Sequence, residues 1–266
     1  SEVEIIQRAL MPSAPINPSS PTTSAGVGTI LGLILGVVFA FIAETLDTSI
    51  GTIEDVEEYL QVSVVGIIPH IDIEEVKEAY TQGTRRAVEA GFDFIEVLAA
   101  GGYLISEFLS PVTNHRTDEY GGPIENRRRF GLEVIKKVRQ IAGKDFAMGI
   151  RVSGHDFIEG GHTNVEAALF CAEAEKAGVN SINVTGGWHE SYIPQITTNV
   201  PAGAFLYLAR GIKEKVGVPV FASNRLGDPL VAERALRSGA ADMICWGRPL
   251  LADPELPIKV EKGRLN

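Results

Sequence analysis

The chain has 266 residues, 45% hydrophobic and 22% charged, which allows one large domain or two small ones with a genuine core. Its formal charge of −10 argues against nucleic acid or an anionic membrane surface as a partner. Cys171 and Cys245 lie far apart inside apolar runs, so they form neither a disulfide framework nor a CxxC metal site and read as buried thiols of a reducing compartment.

Residues 1–71 carry eight acids against Arg8 alone, so most of the net charge lies in the first quarter of the chain. Residues 1–24, with "MPSAPINPSSPTTS", are Pro/Ser-rich and predict an extended, extracytoplasmic-type segment. The uncharged run "AGVGTILGLILGVVFAFIA", 25–43, predicts a transmembrane helix, since its helical rise of about 28 Å matches a hydrocarbon core of about 30 Å. Gly28, Gly32 and Gly36 would give that helix a small-residue stripe for packing in lipid. Neither flank is basic, so the positive-inside rule assigns no orientation. Residues 44–70 predict a short acidic helix, "EDVEEYL", and an apolar strand ending at Pro69.

From Ile71 helices and short apolar strands alternate. The helical stretches are "IEEVKEAYTQGTRRAVEAG", "ENRRRFGLEVIKKVRQIAG", "VEAALFCAEAEKAG", "AGAFLYLARGIKEKVG" and "PLVAERALRSGA"; the strands are "FDFIEVLA", "FAMGIRVS", "SINVTGG", "PVFASN" and "ADMICWGR". Five strands separated by helices imply a parallel sheet, either doubly wound or part of a (β/α)₈ barrel. The strand endings favour the barrel, where chemistry gathers on the loops after the strands and phosphate is held after the last two. Here those two loops carry Asn224, Arg225, Gly247 and Arg248, a set of backbone N–H groups and guanidinium suited to a phosphate. No GxGxxG opens a helix after a strand, which argues against a Rossmann dinucleotide fold.

The string "GFDFIEVLAAGGYLISEFLSPVTNHRTDEYGGPIENRRRFGLEVI" resembles the flavin oxidoreductases of the old yellow enzyme class. "TGGWHESYIPQITTNVPAGAF" narrows the resemblance to 2,4-dienoyl-CoA reductases and related clostridial enoate and steroid reductases. It runs from about Ile71 to Asn266 and implies FMN as cofactor, with NAD(P)H as electron donor. It also implies Tyr103 and His189 as the catalytic acid pair, Arg151 beside the flavin N1/O2 edge, and Asn224, Arg225, Gly247 and Arg248 around the FMN phosphate. The implied substrate is a small enoyl or dienoyl thioester or related enone. Without the resemblance, Tyr103 also fits a core ring, His189 a structural turn residue, and Arg151 an ion-pair partner of Asp156 or Glu96. Arg127, Arg128 and Arg129 read as a solvated helix face with local ion pairs; His115, His155 and His162 read as loop histidines without metal-ligand spacing. No metal site is expected.

Residues 1–71 resemble instead the C-terminal membrane end of polysaccharide chain-length determinant proteins, through the Pro-rich lead, "LDTSI" and the strand ending "GIIP". The predicted fold is therefore α/β, a partial (β/α)₈ TIM barrel of about five units over 71–266 preceded by a transmembrane helix. The five units align with strands four to eight of the family barrel, and the chain stops before that family's iron–sulfur and FAD regions. Two pieces joined near Pro69 to Asp72 point to a truncated or rearranged reading frame or, failing that, a deliberate chimera. The expected protein is an incomplete FMN-dependent ene-reductase, held in the membrane by one span with its barrel portion cytoplasmic, or wholly cytoplasmic if the first segment is foreign. An open five-strand sheet is expected to leave the barrel unclosed, to bind FMN weakly or not at all, and to aggregate or dimerise through its edge. The alternative is a membrane-anchored chain-length determinant-like protein with a non-catalytic fused module.

Overall fold

A computed structural model describes residues 21–46, 72–189, 191–193 and 197–264. The chain divides into two units, Ser1–Ser63 and Val64–Asn266. In the first, helix α1 spans Pro21–Leu46. Among the described residues no helix is long and apolar enough to cross a membrane. A Cβ at Gly28, Gly32 or Gly36 would meet nothing within 4 Å, so the small-residue stripe packs against no described neighbour. The expected transmembrane span over 25–43, the membrane as partner and the single-span membrane localisation are corrected accordingly. The predicted acidic helix and strand over 47–70 lie outside the described residues.

The second unit is built on a parallel sheet. Helix α2 (Ile73–Glu89) starts at Asp72, whose carboxylate accepts from the N–H groups of Glu74 and Glu75 and so satisfies two of the orphan donors of the first turn. Then follow β1 (Phe94–Ala99), α3 (Leu104–Leu109), α4 (Ile124–Arg127), α5 (Arg129–Ala142), β2 (Ala147–Ser153), α6 (Asn164–Lys176) and β3 (Ser181–Thr185). The series ends with α7 (Leu206–Lys213), β4 (Val220–Ala222), α8 (Pro229–Arg237), β5 (Met243–Ile244), α9 (Arg248–Ala252) and α10 (Leu256–Glu261). All four strand pairings are parallel, and the order is β1-β2-β3-β4-β5. A strand order that follows the chain is that of a barrel wall; a doubly wound sheet reverses its order at a switch point. The structure thus chooses between the two architectures that the periodicity left open.

Burial alternates along β1, with Val97 and Ala99 buried while Phe94, Glu96 and Leu98 are exposed. The buried set joins Ile150, Ile182, Val184 and Val220 in one cluster with Val134, Ile135, Phe170 and Leu208 of the covering helices. Phe108 and Phe130 stack within it at 4.2 Å between ring centroids. Burial of such side chains contributes about 1.5–3 kcal/mol each and is the main force holding helices to sheet. The other sheet face carries Leu98, Arg151, Asn183 and Phe221 in one cross-strand row. It meets the strand C-termini at a common rim, where the polar residues collect.

Candidate active site

Two loops at the rim bring the first candidates together. After β1 the chain turns through Gly101 (φ 72°) and Gly102 (φ 84°), a left-handed pair that only glycine adopts cheaply. A Cβ on Gly102 would touch the Trp188 indole at 3.5 Å, so this turn and the loop after β3 lie side by side. Tyr103 then caps α3 in extended conformation, with 54% of its surface exposed. Ser106 Oγ donates to the Tyr103 carbonyl at 2.7 Å and accepts from the Gly102 N–H at 3.0 Å, which closes the turn.

After β3 the chain passes Gly186 and Gly187 into Trp188 and His189, and a parallel bridge joins Trp188 to Gly101. His189 Nδ1 lies 2.8 Å from the Gly101 carbonyl oxygen. A carbonyl only accepts, so Nδ1 carries the hydrogen and Nε2 is left uncommitted. The Tyr103 and His189 rings meet edge to face with centroids 5.7 Å apart. Both line a cleft of about 530 Å³ together with Leu98, Thr185 and the two arginines Arg151 and Arg248.

Arg151 and Arg248 also line a second cleft of about 640 Å³, formed by the loops after β4 and β5. Its walls include Asn224, Arg225 and Gly247. Asn224 (φ 68°) and Arg225 (φ 53°) hold left-handed conformations that a non-glycine residue adopts only when its surroundings enforce them. Three hydrogen bonds enforce them. Asn224 Nδ2 donates to Thr185 Oγ1 at 2.8 Å, Arg225 Nε donates to the Val200 carbonyl at 2.7 Å, and the Gly203 N–H donates to the Arg225 carbonyl at 2.8 Å. Part of the Arg225 guanidinium is therefore committed to the scaffold. The Arg151 and Arg248 side chains form no hydrogen bond or ion pair among the described residues; Glu96, one of the two partners considered for Arg151, accepts instead from Asn183 Nδ2 at 3.1 Å. All seven residues singled out in the sequence thus fall on two clefts that share a pair of arginines.

Behind the rim the structure shows groups that the sequence reading missed. Arg127 is 5% exposed, and its guanidinium reaches the carbonyls of Leu109 and Gly122 and the Glu166 carboxylate. This corrects the expectation of a solvated ENRRRF face: the partner lies 39 residues away on α6, beyond the reach of local spacing. Glu166 also closes the capping box of α6 with Thr163. Burial opposes ionisation of Glu166, but the Thr163 amide and Arg127 outweigh it and hold the carboxyl below its ordinary range. His162, read as a loop histidine, is fully buried 3.7 Å from Glu166, and burial lowers its pKa and keeps it neutral. Asp156 is 1% exposed, and burial pushes its carboxyl up to about 6. The His162 amide, which donates to the Asp156 carboxylate at 2.6 Å, counters part of that rise. Burial also raises the Cys171 and Cys245 thiols; Cys245 is only half-buried and lines the second cleft.

Parallel strands in chain order, with their reactive side chains on one rim and an anion-suited cleft after the last two, define a β/α-barrel enzyme. The chain belongs to the NADH:flavin oxidoreductase / NADH oxidase family, whose profile matches residues 49–266. It is 54% identical over 191 residues to a metal reductase of Desulforamulus reducens, covering 72% of this chain and 29% of that protein. Among solved structures it matches a 2-naphthoyl-CoA reductase complex with a TM-score of 0.68 and 39% identity, covering 72% of this chain and 29% of the other. It also matches an old yellow enzyme homologue of Zymomonas mobilis with a TM-score of 0.61 and 28% identity, covering 75% and 55%. The flavin-oxidoreductase resemblance is upheld; the resemblance of residues 1–71 to chain-length determinant proteins finds no support. The chain spans about three-tenths of the length of the metal reductase. Family membership implies FMN as cofactor and NAD(P)H as electron donor.

Proposed function

We propose that the chain carries the site of an FMN-dependent ene-reductase acting on the activated C=C bond of enoyl or dienoyl thioesters or related enones. The observation that carries this reading is the Tyr103–His189 pair, edge to face at 5.7 Å in a cleft that shares Arg151 and Arg248 with the anion-suited cleft. The residues present fit FMN. The second cleft falls within the usual 300–1,000 Å³ of small-molecule sites, and its donor set of turn amides and an uncommitted guanidinium suits a phosphate. Asn224, Arg225, Gly247 and Arg248 would hold that phosphate, and Arg151 would face the ring edge where reduced flavin gathers negative charge. When bound and reduced, FMN supplies a hydride to one alkene carbon.

The chain's own residues do the rest. His189, with Nδ1 donating to Gly101, presents Nε2 to the cleft, where its protonated form donates to the substrate carbonyl and draws electron density away from the alkene. The Tyr103 phenol delivers the proton to the second carbon, and solvent at this half-exposed ring returns it. Thr185 and Trp188 close the wall of the cleft between them.

The test compares two electron acceptors. Tyr103→Phe and His189→Ala should each lower turnover with an enone or enoyl thioester by about 10²–10⁴-fold, the usual worth of a placed acid. Reduction of ferricyanide, which places no proton on carbon, should hold in both variants within about threefold, as should flavin content. The metal reductase relative bears on this choice, because reducing a metal ion likewise needs no carbon-protonating pair. Equal loss on both acceptors, or none on the enone, would overturn the ene-reductase reading.

A further inference from the structure

We infer that Ser153 is the positioning residue of the Tyr103–His189 pair, an inference that rests on the reading just given. Ser153 is the last residue of β2, the strand between those that carry the two candidate acids, and is 1% exposed. Its hydroxyl accepts from the Gly101 N–H at 3.0 Å and donates to the Gly187 carbonyl at 3.2 Å. Gly101 lies two residues before Tyr103 and supplies the carbonyl that holds His189 Nδ1; Gly187 lies two residues before His189. One buried hydroxyl therefore touches both loops at the glycines that aim them.

Other contacts hold the second loop to the segment after β2 without involving this hydroxyl. The Gly187 N–H donates to the His155 carbonyl at 2.7 Å, and the Gly154 N–H donates to the Thr185 carbonyl at 2.7 Å. Ser191 Oγ donates to the Asp156 carbonyl at 2.6 Å and accepts from the Trp188 N–H at 2.6 Å. Removing the Ser153 hydroxyl thus leaves the loop after β3 seated and releases chiefly its register against Gly101. That register decides whether the Gly101 carbonyl keeps His189 in the Nδ1–H tautomer with Nε2 toward the substrate. In the other tautomer a bare Nδ1 would face the Gly101 carbonyl oxygen, acceptor against acceptor, and the ring would lose the bond that aims Nε2 at the substrate.

The experiment uses the full chain with FMN added, as parent, Ser153→Ala and Ser153→Cys, the thiol keeping the volume of the side chain while weakening both hydrogen bonds. Long-range ¹H–¹⁵N correlation on histidine-labelled protein, with His189→Gln for assignment, reports which His189 nitrogen bears the hydrogen. The parent should show the Nδ1–H form, and both variants a mixture of tautomers. With an enone as substrate, kcat should fall about tenfold, with KM and flavin content within about twofold and an altered pH profile. A His189 tautomer and pH profile unchanged in whichever variant folds would overturn the inference, as would a changed tautomer with parental kcat. If the parent reduces no enone, the ene-reductase reading falls by itself, and the tautomer comparison still decides whether Ser153 sets the loop geometry.

Discussion

The two clefts of the rim are built by opposite means. At the Tyr103–His189 end the polar groups are spent on one another. Ser153 links Gly101 to Gly187, Ser191 links Trp188 to Asp156, and Arg127 ties the segment after β1 to Glu166 on α6. At the other end Asn224 and Arg225 are fixed, while Arg151 and Arg248 have no hydrogen-bond partner among the described residues. Moving a proton depends on angles and tenths of an ångström, so the groups that do it are locked by their neighbours. Holding an anion depends on donors that have nothing else to bind, so the same economy there would defeat the purpose.

This contrast breaks most visibly at Arg127. Arg127→Ala should cost about 3–5 kcal/mol in urea unfolding, because it strands the part-buried Glu166 and two carbonyls behind the acid pair. A loss below about 1 kcal/mol would show that this end is less locked than its hydrogen bonds suggest.

A smaller effect is expected from pH. The Asp156 carboxyl is raised from 3.8 to about 6 in the folded chain, so the folded state holds its proton over a window where the unfolded chain has lost it. Its contribution is present in full below about pH 4 and is lost as pH climbs through about 6, a span worth about 3 kcal/mol. His162 slopes the other way, since burial lowers its pKa and its contribution is lost on acidification. Comparing Asp156→Asn with the parent isolates the first effect: the variant should gain relative stability steadily from pH 4 to pH 7. Parallel curves would place Asp156 in an ordinary environment.

The smallest effects lie at the phosphate-suited end and should separate by residue. Arg248→Ala should weaken FMN binding by about tenfold or more at unchanged stability, as expected for a free guanidinium on a phosphate. Arg225→Ala should cost about 1–2 kcal/mol of stability as well, because it removes the bond to Val200 and leaves alanine at φ 53°. Identical responses in titration calorimetry and urea unfolding would erase the distinction drawn between the two arginines.

How legible the molecule was in its sequence follows the same division. The five strands and their covering helices could be read from apolar runs and their punctuation, because the sheet and its outer helices form one buried cluster. The choice between barrel wall and doubly wound sheet came instead from the polar strand endings, since periodicity is silent on which strands pair. Tyr103 and His189 stood out through glycine-rich strand endings and the family resemblance. Ser153 and Ser191 gave no signal, and Asp156 only as a possible partner of Arg151, as a serine or aspartate after a strand is commonplace and only tertiary contact gives it work. Arg127 was masked by Arg128 and Arg129, and nothing local distinguishes the one whose partner lies on α6. In 25–43 the apolar composition pointed correctly to a helix and incorrectly to a membrane span.

The strand order has one more consequence, for heredity rather than chemistry. Because β1 to β5 neighbour one another in the order in which they are translated, every residue lining the two rim clefts lies within 98–252. A sheet whose strands were shuffled would scatter those residues across the gene. Here one contiguous stretch of coding sequence carries the acids and the anion donors of both described clefts together.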